Sequence, residues 1–327
     1  MRRRASLLAA GVLAASASGQ EPPVAGPRGV RDEFLLAQSR LSLPAILPDT
    51  LPAGASRLRL RFDWGNDFAH DQDGGGEQPR ERRFLVDGEH WTLDVEWRRG
   101  LGQGWDAGFR LPLRWRGAGV LDGAIDAFHV FTKKLGLPDN GRSLFRRDLF
   151  RVEALDLDLR PLSLEQSGAG LGNLEFDARV KLAPRVALIG RVMLPSGTGP
   201  FDADGLGLGL QLALARKHGR WDFAGGLGGS YESDAETHGF RYEHWRGQGF
   251  ASVERRLSRR WALVTETTLQ SRLVTNLRRF PGLAWYLGLG ARLDLDSGFS
   301  IEGGFTENLK HQQSTTDIGF QLAVVRP

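Results

Sequence analysis

Hydrophobic and polar residues alternate along most of the chain from residue 57 onward. Between Trp105 and Trp115 every odd position is apolar or small, whereas Asp106, Arg110 and Arg114 occupy even positions. This two-residue period is typical of a β-strand with one apolar face and one polar face. It predicts about twelve strands, at residues 57–68, 89–99, 104–116, 172–182, 186–195, 205–216, 220–231, 245–257, 260–272, 283–296, 298–308 and 315–326.

The length of these strands indicates a membrane protein. Most of them have 10 to 14 residues. A tilted strand that crosses a bilayer needs roughly 9 to 11 residues, whereas strands in soluble sheets usually have about 5 to 6. Strand length therefore favours a transmembrane barrel over a soluble sheet.

The connections between the predicted strands are alternately short and long. The turns after strands two, four, six, eight and ten read RGLGQ, APR, KHG, SR and DSG. The loops after the odd-numbered strands are longer and cover roughly 69–88, 117–171, 196–204, 232–244, 273–282 and 309–314. Bacterial outer-membrane barrels have short periplasmic turns and longer extracellular loops. The alternation therefore predicts an all-β protein, a transmembrane antiparallel β-barrel over residues 57–327.

The hydrophobic period changes to that of a helix inside the longest loop, 117–171. From Leu121 the apolar residues recur at helical spacing, and Gly136 is placed to end the helix. The polar stripe of this predicted amphipathic helix consists of Asp122, Asp126 and His129. The stripe is either a solvated face or a gate or binding surface at the mouth of the barrel, and the sequence does not distinguish them.

Nine tryptophans share the apolar phase of the strands and fall near strand ends. In outer-membrane barrels aromatic residues form girdles at the two lipid–water interfaces. We expect the periplasmic girdle to contain Trp97, Trp105, Trp221 and Trp261, and the extracellular girdle to contain Trp64, Trp91, Trp115, Trp245 and Trp285.

The amino terminus predicts export. Residues 1–20 combine three arginines, an apolar run and a small-residue Ala15-Ser16-Ala17 site, which is the pattern of a cleaved signal peptide. The chain has no cysteine, so neither a disulfide nor a lipid-modified cysteine is available. Residues 21–56 are too rich in proline for strands, and only RDEFLLAQSRL within them has the pattern of a short helix. This segment either plugs the barrel or lies outside it.

Net charge adds little about partners. The formal charge is +4, but export makes nucleic acid an improbable partner. We expect the partners of this protein to be outer-membrane lipids, including lipopolysaccharide, and the barrel-assembly machinery during insertion. That machinery usually reads an aromatic carboxyl-terminal residue, and the last aromatic residue here is Phe320. No pattern indicates a cofactor or a metal site, and the oligomeric state is not predicted.

The polar phase of the first strands is heavily charged. The residues expected to face the lumen are Asp94, Glu96, Arg98, Asp106, Arg110, Arg114, Glu175, Asp177, Arg179 and Lys181. The arginines of the third strand have carboxylates on both neighbouring strands, which suits cross-strand pairing. The functional interpretation is a polar pathway or a binding site for a small charged solute. The structural interpretation is a lumen filled by its own salt bridges.

Several motifs carry a family resemblance: DWGNDF (63–68), VDGEHWTLDVEW (86–97), LPLRWRGAGVLDGAIDAFH (111–129), GLPDNGR (136–142), GLGNLEFDARVKL (170–182) and LPSGTG (194–199). Together they resemble the bacterial outer-membrane family catalogued as domain of unknown function 3187. The resemblance implies a barrel, but it implies no activity and no catalytic residues.

Three functions fit these observations. The favoured hypothesis is a channel or transporter for small polar or charged solutes. A closed structural or lipopolysaccharide-interacting barrel is the first alternative. The second is an outer-leaflet lipid-modifying enzyme, but no spacing ties a loop histidine to a nucleophile.

Overall fold

The computed structural model describes residues 26–70, 84–119, 149–277, 280, 282–310 and 316–326, together with positions 123, 127, 130 and 134. The described strands, in chain order, are β1 Ser56–His70, β2 Phe84–Gly102, β3 Trp105–Gly117, β4 Arg151–Leu155, β5 Pro161–Leu164, β6 Gly168–Leu171, β7 Glu175–Ala183, β8 Val186–Met193, β9 Gly207–His218, β10 Trp221–Glu232, β11 Glu236–Thr237, β12 Phe240–Arg241, β13 Trp245–Arg256, β14 Trp261–Ser271, β15 Leu283–Asp294, β16 Ser300–Lys310 and β17 Ile318–Arg326. A short 3-10 helix covers Gly199–Phe201. Among the described residues, no helix is long and apolar enough to cross a membrane.

Twelve antiparallel strands close into a barrel. They are β1 to β3, β7 to β10 and β13 to β17, and the last pairs with the first. Closure pairs every strand on both sides and removes the exposed edges that lipid could not hydrate. The predicted fold class is thereby confirmed.

The strand faces follow the predicted alternation. In β13, the inward residues other than Arg256 are buried and most outward residues are exposed. Outward side chains are mostly apolar, and Leu227, for example, is 75% exposed. An apolar outer surface is expected of a barrel whose solvent on that side is lipid.

All nine tryptophans lie on the outward face and are exposed or half-buried. Trp64, Trp91 and Trp115 stand in one row across β1, β2 and β3. The rings of Trp91 and Trp115 stack with centroids 6.4 Å apart. Their role as interface anchors stays a prediction.

The structure adds elements to the barrel that the alternation did not predict. The first residues of β2 extend beyond the predicted strand because they pair with β4, which forms a hairpin with β5 in the 117–171 loop. The strand predicted at 172–182 corresponds to β7, and an additional short strand, β6, precedes it; both pair with β3. The break between β6 and β7 lies beside Pro112, which has no N–H to donate to the ladder; its carbonyl accepts the N–H of Gly172 at 2.9 Å.

The predicted loop helix falls mostly outside the described residues. Asp122, Asp126 and His129 are among the residues outside the description.

Candidate functional site

Residues 26–51, hereafter the plug segment, run through the lumen of the barrel. Glu254, near the short-turn end of β13, binds its start, and Asp67, near the long-loop end of β1, binds its middle. We call these two ends periplasmic and extracellular, as the loop lengths predict. The contacts along this upward course are Gly26 N–H to Glu254 Oε2 at 2.7 Å, Val30 N–H to Glu266 Oε1 at 2.7 Å and Leu35 N–H to Asp67 Oδ2 at 2.6 Å.

The plug segment then reverses and returns to the periplasmic end. The contacts on the return are Leu41 N–H to Glu232 Oε1 at 3.1 Å, Leu43 N–H to Gln248 Oε1 at 2.7 Å and Leu51 N–H to Asp106 Oδ2 at 2.9 Å. Of the two locations that the sequence left open for this segment, its described residues occupy the one inside the barrel.

The backbone of the plug segment is bound by lumen side chains rather than by secondary structure of its own. A proline-rich chain cannot form a regular ladder, so its buried N–H groups need other acceptors. Carboxylates and amides of the inward barrel face supply them. The short helix expected between residues 31 and 41 is absent from these described residues. Two consecutive turns take its place, with Ala37 N–H donating to Phe34 O and Arg40 N–H to Ala37 O, because the chain must reverse direction there.

A central charge cluster joins the plug segment to the barrel wall. It contains Arg31, Glu33, Arg61, Asp94, Arg110, Arg114 and Glu175. The carboxylate of Glu33 lies 3.6 Å from Arg110 and 3.8 Å from both Arg61 and Arg114. It also accepts a hydrogen bond from the Thr92 hydroxyl at 3.0 Å. Glu33 therefore places one negative charge among three arginines.

Strand parity predicted four of the five barrel residues of this cluster; Arg61 of β1 was not among the predicted lumen residues. Arg110 contacts Asp94 and Glu175, both at 2.7 Å, on the two neighbouring strands. Arg31 of the plug segment contacts Glu175 at 3.3 Å. Cross-strand pairing and plug contacts therefore share the same side chains, and four predicted lumen residues, Asp94, Arg110, Arg114 and Glu175, meet here.

The other predicted lumen residues lie toward the periplasmic end. Arg98 pairs with Asp106 and Asp177. Arg179 donates to the carbonyls of Leu47 and Asp49 in the plug segment, at 2.7 Å and 2.5 Å. Glu96 lies between Arg31 at 3.6 Å and Arg59 at 3.9 Å. Lys181 is exposed beside the turn at Gly104, next to a register shift in β7, and does not line the lumen.

The extracellular end of the lumen is covered by an apolar cluster. Phe34, Leu35 and Leu36 at the reversal of the plug segment are buried there. Their partners come from the outer ends of the barrel and the long loops, namely Phe84, Val86, Val152, Ala154, Leu164, Phe240, Tyr242, Leu273, Val274, Leu277 and Phe280. Burial of each large apolar side chain contributes about 1.5–3 kcal/mol, so this cluster stabilises the reversal in its present place.

Arg40 links the reversal to the β11–β12 hairpin. Its guanidinium lies 3.3 Å from Glu232 Oε2 and 3.7 Å from the centre of the Tyr242 ring. It donates to the Asp234 carbonyl at 2.8 Å and to the Thr237 hydroxyl at 2.5 Å. Sequence reasoning missed these contacts of Arg40 because an arginine in a proline-rich segment carries no periodic signal.

Arg28 fills a groove made by inward-facing glycines of β15 and β16. Its side chain is fully buried, yet among the described residues the only acceptor within hydrogen-bond distance is the Phe305 carbonyl, at 3.2 Å. A Cβ atom at Gly288 would lie 2.6 Å from Arg28 Nη2 and 3.0 Å from Val30 Cγ2. The glycines therefore make room for the plug segment.

Replacement of Gly288 by alanine is expected to loosen the plug segment around Arg28 because the added methyl group overlaps the guanidinium. We expect faster amide hydrogen exchange over residues 27–34 in Gly288→Ala, by about tenfold or more if the overlap costs about 1.4 kcal/mol. Gly247→Ala is the control because a Cβ there meets nothing within 4 Å. Equal exchange in the two variants would contradict this account of the groove.

A cavity of about 660 Å³ lies between the periplasmic half of the plug segment and the barrel wall; we call it the vestibule. Twelve arginine or lysine residues and five aspartate or glutamate residues line it. It reaches the periplasmic rim at Arg185 and Lys217, which are exposed. Within the described residues, no group of three or more histidine, aspartate or glutamate side chains could hold a metal ion.

The family comparison agrees with the motifs. A family model described as "Protein of unknown function (DUF3187)" matches residues 5–325. No curated protein matches the sequence.

Solved structures of outer-membrane barrels are similar to this chain. The COG4313 outer membrane channel from Pseudomonas putida F1 has a TM-score of 0.55 and 12% identity, covering 85% of this chain and 97% of that chain. The translocator domain of autotransporter NalP from Neisseria meningitidis has a TM-score of 0.47 and 13% identity, covering 85% and 90%. A Pseudomonas aeruginosa FadL homologue has a TM-score of 0.43 and 10% identity, covering 92% and 99%. At these identities the first similarity shows the barrel fold alone, because one fold hosts many functions.

Proposed function

We propose that this chain, which belongs to the DUF3187 family of proteins of unknown function, is an outer-membrane channel or transporter that the plug segment closes. Small polar or charged solutes pass when the plug segment moves. The proposal is carried by one observation: the lumen is occupied by a non-barrel segment held mainly by hydrogen bonds and ion pairs.

The polarity of the lumen favours a gated pathway over a permanently closed barrel. Eight-stranded barrels are filled by side chains, and sixteen-stranded barrels are open. Replacing buried ion pairs by apolar side chains is often neutral or stabilising by about 1–4 kcal/mol, so a barrel built only to stay closed gains nothing from charge. A charged wall instead becomes a hydrated path when the plug segment leaves.

A side chain of the plug segment has buried N–H groups without acceptors among the described residues, and this supports the same function. Arg28 is buried with one hydrogen bond, and its Nε and Nη1 atoms have no hydrogen-bond acceptor in the part of the chain that the structure describes. Buried N–H groups without acceptors cost free energy in the docked state. This cost brings the docked and undocked states closer in free energy, as a reversible gate requires.

The apolar outward face supports placement in the outer membrane. Lipids, including lipopolysaccharide, would surround that face, and the barrel-assembly machinery would insert the chain. The tryptophans would then lie at the two interfaces.

Planar-bilayer recording of Arg40→Gln tests the proposal. The substitution removes the ion pair to Glu232 and the cation over Tyr242, but Glu232 keeps Arg246 at 2.6 Å. We expect the open probability to rise by roughly tenfold, equivalent to the loss of about 1.4 kcal/mol of docking.

The matched control for this variant is Arg241→Gln on the same hairpin. Arg241 contacts Glu236 at 3.5 Å, and both side chains are exposed, so its removal costs little. A silent bilayer for Arg40→Gln, for wild type and for a variant without the plug segment would refute the channel and favour a closed structural or lipopolysaccharide-interacting barrel.

A further inference from the structure

Cations are concentrated at the periplasmic end of the vestibule. Five of its lining residues, hereafter the rim cluster, come from β1, β2, β7, the β7–β8 turn and β9, and they are Arg57, Arg98, Arg179, Arg185 and Lys217. The vestibule as a whole carries more than twice as many cationic as anionic side chains. A concave site with low-dielectric walls and charges of one sign concentrates counter-ions of the opposite sign.

Like charges face each other within the rim cluster. Arg57 and Arg98 are directly opposite in the β1–β2 register and therefore lie on the same face of the sheet. Like charges in such a pair are destabilising. Arg98 and Arg57 both repel the positive charge of Arg179. A bound anion would convert this repulsion into attraction.

The carboxylates of the barrel wall only partly compensate Arg179, Arg185 and Lys217. Arg98 forms ion pairs with both Asp106 and Asp177. Arg179 also forms an ion pair with Asp106, at 3.6 Å. Lys217 has Asp222 at 4.0 Å, the outer limit of an ion pair. Arg185 makes no ion pair with the described part of the chain, and its backbone is held in place by the 3.0 Å hydrogen bond from Ala215 N–H to Arg185 O.

The size of the vestibule fits a small solute rather than a single ion. Its volume of about 660 Å³ falls inside the roughly 300–1,000 Å³ of small-molecule sites. Guanidinium groups bind phosphate and carboxylate oxygens in a bidentate manner, so several arginines select ligands with more than one such group.

We propose that the vestibule is a binding site for a small, soluble, multivalent oxyanion that carries phosphate or carboxylate groups and is held by the rim cluster. This names the solute class of the proposed channel, and it rests on that proposed function only for its physiological role.

The vestibule also contacts the plug segment. Arg179 donates to the plug carbonyls of Leu47 and Asp49, and both residues line the vestibule. A bound anion competes with these carbonyls for the guanidinium. The ligand that the rim cluster binds would thus weaken the hydrogen bonds from Arg179 that hold the returning part of the plug segment.

Isothermal titration of the purified full chain in an uncharged detergent tests the site without any need for conduction. Pyrophosphate and citrate are the probes, and sodium chloride holds the ionic strength constant. Wild type is expected to show saturable binding of at least one probe. Arg185→Gln/Lys217→Gln is expected to weaken it about thirtyfold, since the variant removes two unit charges and each contributes about 1 kcal/mol at a solvated site.

A charge-matched double variant on the same rim serves as the control. Arg255 and Arg259 are exposed and lie outside the lining of the vestibule, so Arg255→Gln/Arg259→Gln is expected to bind within about twofold of wild type because distant exposed charges are screened. Absence of saturable binding by wild type, or equal weakening in both double variants, would overturn the proposal.

A third titration distinguishes a soluble anion from a lipid headgroup. A short-chain phosphatidylglycerol carries one phosphate on a lipid body. Tighter binding of this lipid than of pyrophosphate and citrate would overturn the assignment of a soluble ligand. Because the readout is heat of binding, a silent bilayer would refute the channel while leaving this result unaffected.

Discussion

Deletion of residues 27–50 is expected to turn the closed barrel into a permanently conducting pore. The deletion removes Glu33, Arg40 and the apolar reversal at Phe34 together, and with them almost every contact that holds the plug segment. The barrel itself should persist because its closure depends on strand pairing from β1 through β17, in which residues 27–50 take no part.

Charged side chains in the lumen that the deletion exposes keep partners of opposite charge in the barrel wall. Arg110 keeps Asp94 and Glu175, and Arg292 keeps Glu254 and Glu302. These pairs are formed within the barrel wall, without the plug segment, and hydrate without loss of their partners. The wall should therefore line a water-filled path rather than collapse.

The expected change in current is large. If the docked state is favoured by a few kcal/mol, wild type is open less than about 1% of the time, so the deletion should raise the mean current by about a hundredfold or more. Planar-bilayer recording gives the current, and far-ultraviolet circular dichroism confirms the β content of the variant. A folded barrel that conducts no better than wild type would contradict the role of the plug segment.

Replacement of Glu33 by glutamine is expected to have the second-largest effect. The amide keeps the size of the side chain but removes the negative charge that lies among Arg61, Arg110 and Arg114. Loss of one partner from a buried ionic cluster costs about 3–5 kcal/mol. The open probability should then rise by roughly 10²-fold at neutral pH, and the current of the deletion variant sets the upper limit of this rise.

An exposed ion pair supplies the control for this charge effect. Glu153 contacts Arg151 at 2.7 Å on the outer hairpin, but about half of the Glu153 side chain is exposed. A surface pair contributes about 0–1 kcal/mol, so Glu153→Gln should conduct like wild type. Similar currents from Glu33→Gln and Glu153→Gln would show that the central charge cluster does not hold the plug segment.

The pH dependence of docking should distinguish the contributions of two neighbouring acidic residues of the plug segment, Asp32 and Glu33. Burial alone would raise the pKa of Glu33, but Arg114, Arg110 and Arg61 outweigh it and lower the pKa to about 2. Burial raises the pKa of Asp32 to about 6, although the Tyr286 hydroxyl and Arg246 oppose the shift and Glu33 adds to it.

The signs of these two shifts lead to opposite effects. The contribution of Glu33 is present above its undocked pKa of about 4.3 and is lost only as the pH falls toward 2. Docking favours protonated Asp32, so it strengthens as the pH falls through about 6. We therefore expect the wild-type current to fall between pH 7 and pH 5, and Asp32→Asn to abolish this fall. A current that rises over that range would contradict the assignment.

Much of the fold was determined by sequence because a two-residue period is a local property. The alternation in Trp105–Trp115, the length of the strands and the parity of the loops each follow from a bilayer that accepts only apolar side chains outside and only closed ladders. Parity also assigned Asp94, Arg110, Arg114 and Glu175 to the lumen, where the structure places them in one cluster.

Only the tertiary structure decided what occupies that lumen. Residues 26–51 have no period to read, and their contacts reach across the chain, as from Arg40 to Glu232, 192 positions away. Glu33 and Arg40 acquire a role only when the barrel closes around them and removes their water, because a charge in solvent has no preferred partner. The inward face of the barrel wall was therefore predictable from local spacing, whereas the position of the plug segment depends on long-range electrostatics that exist only after the barrel has closed.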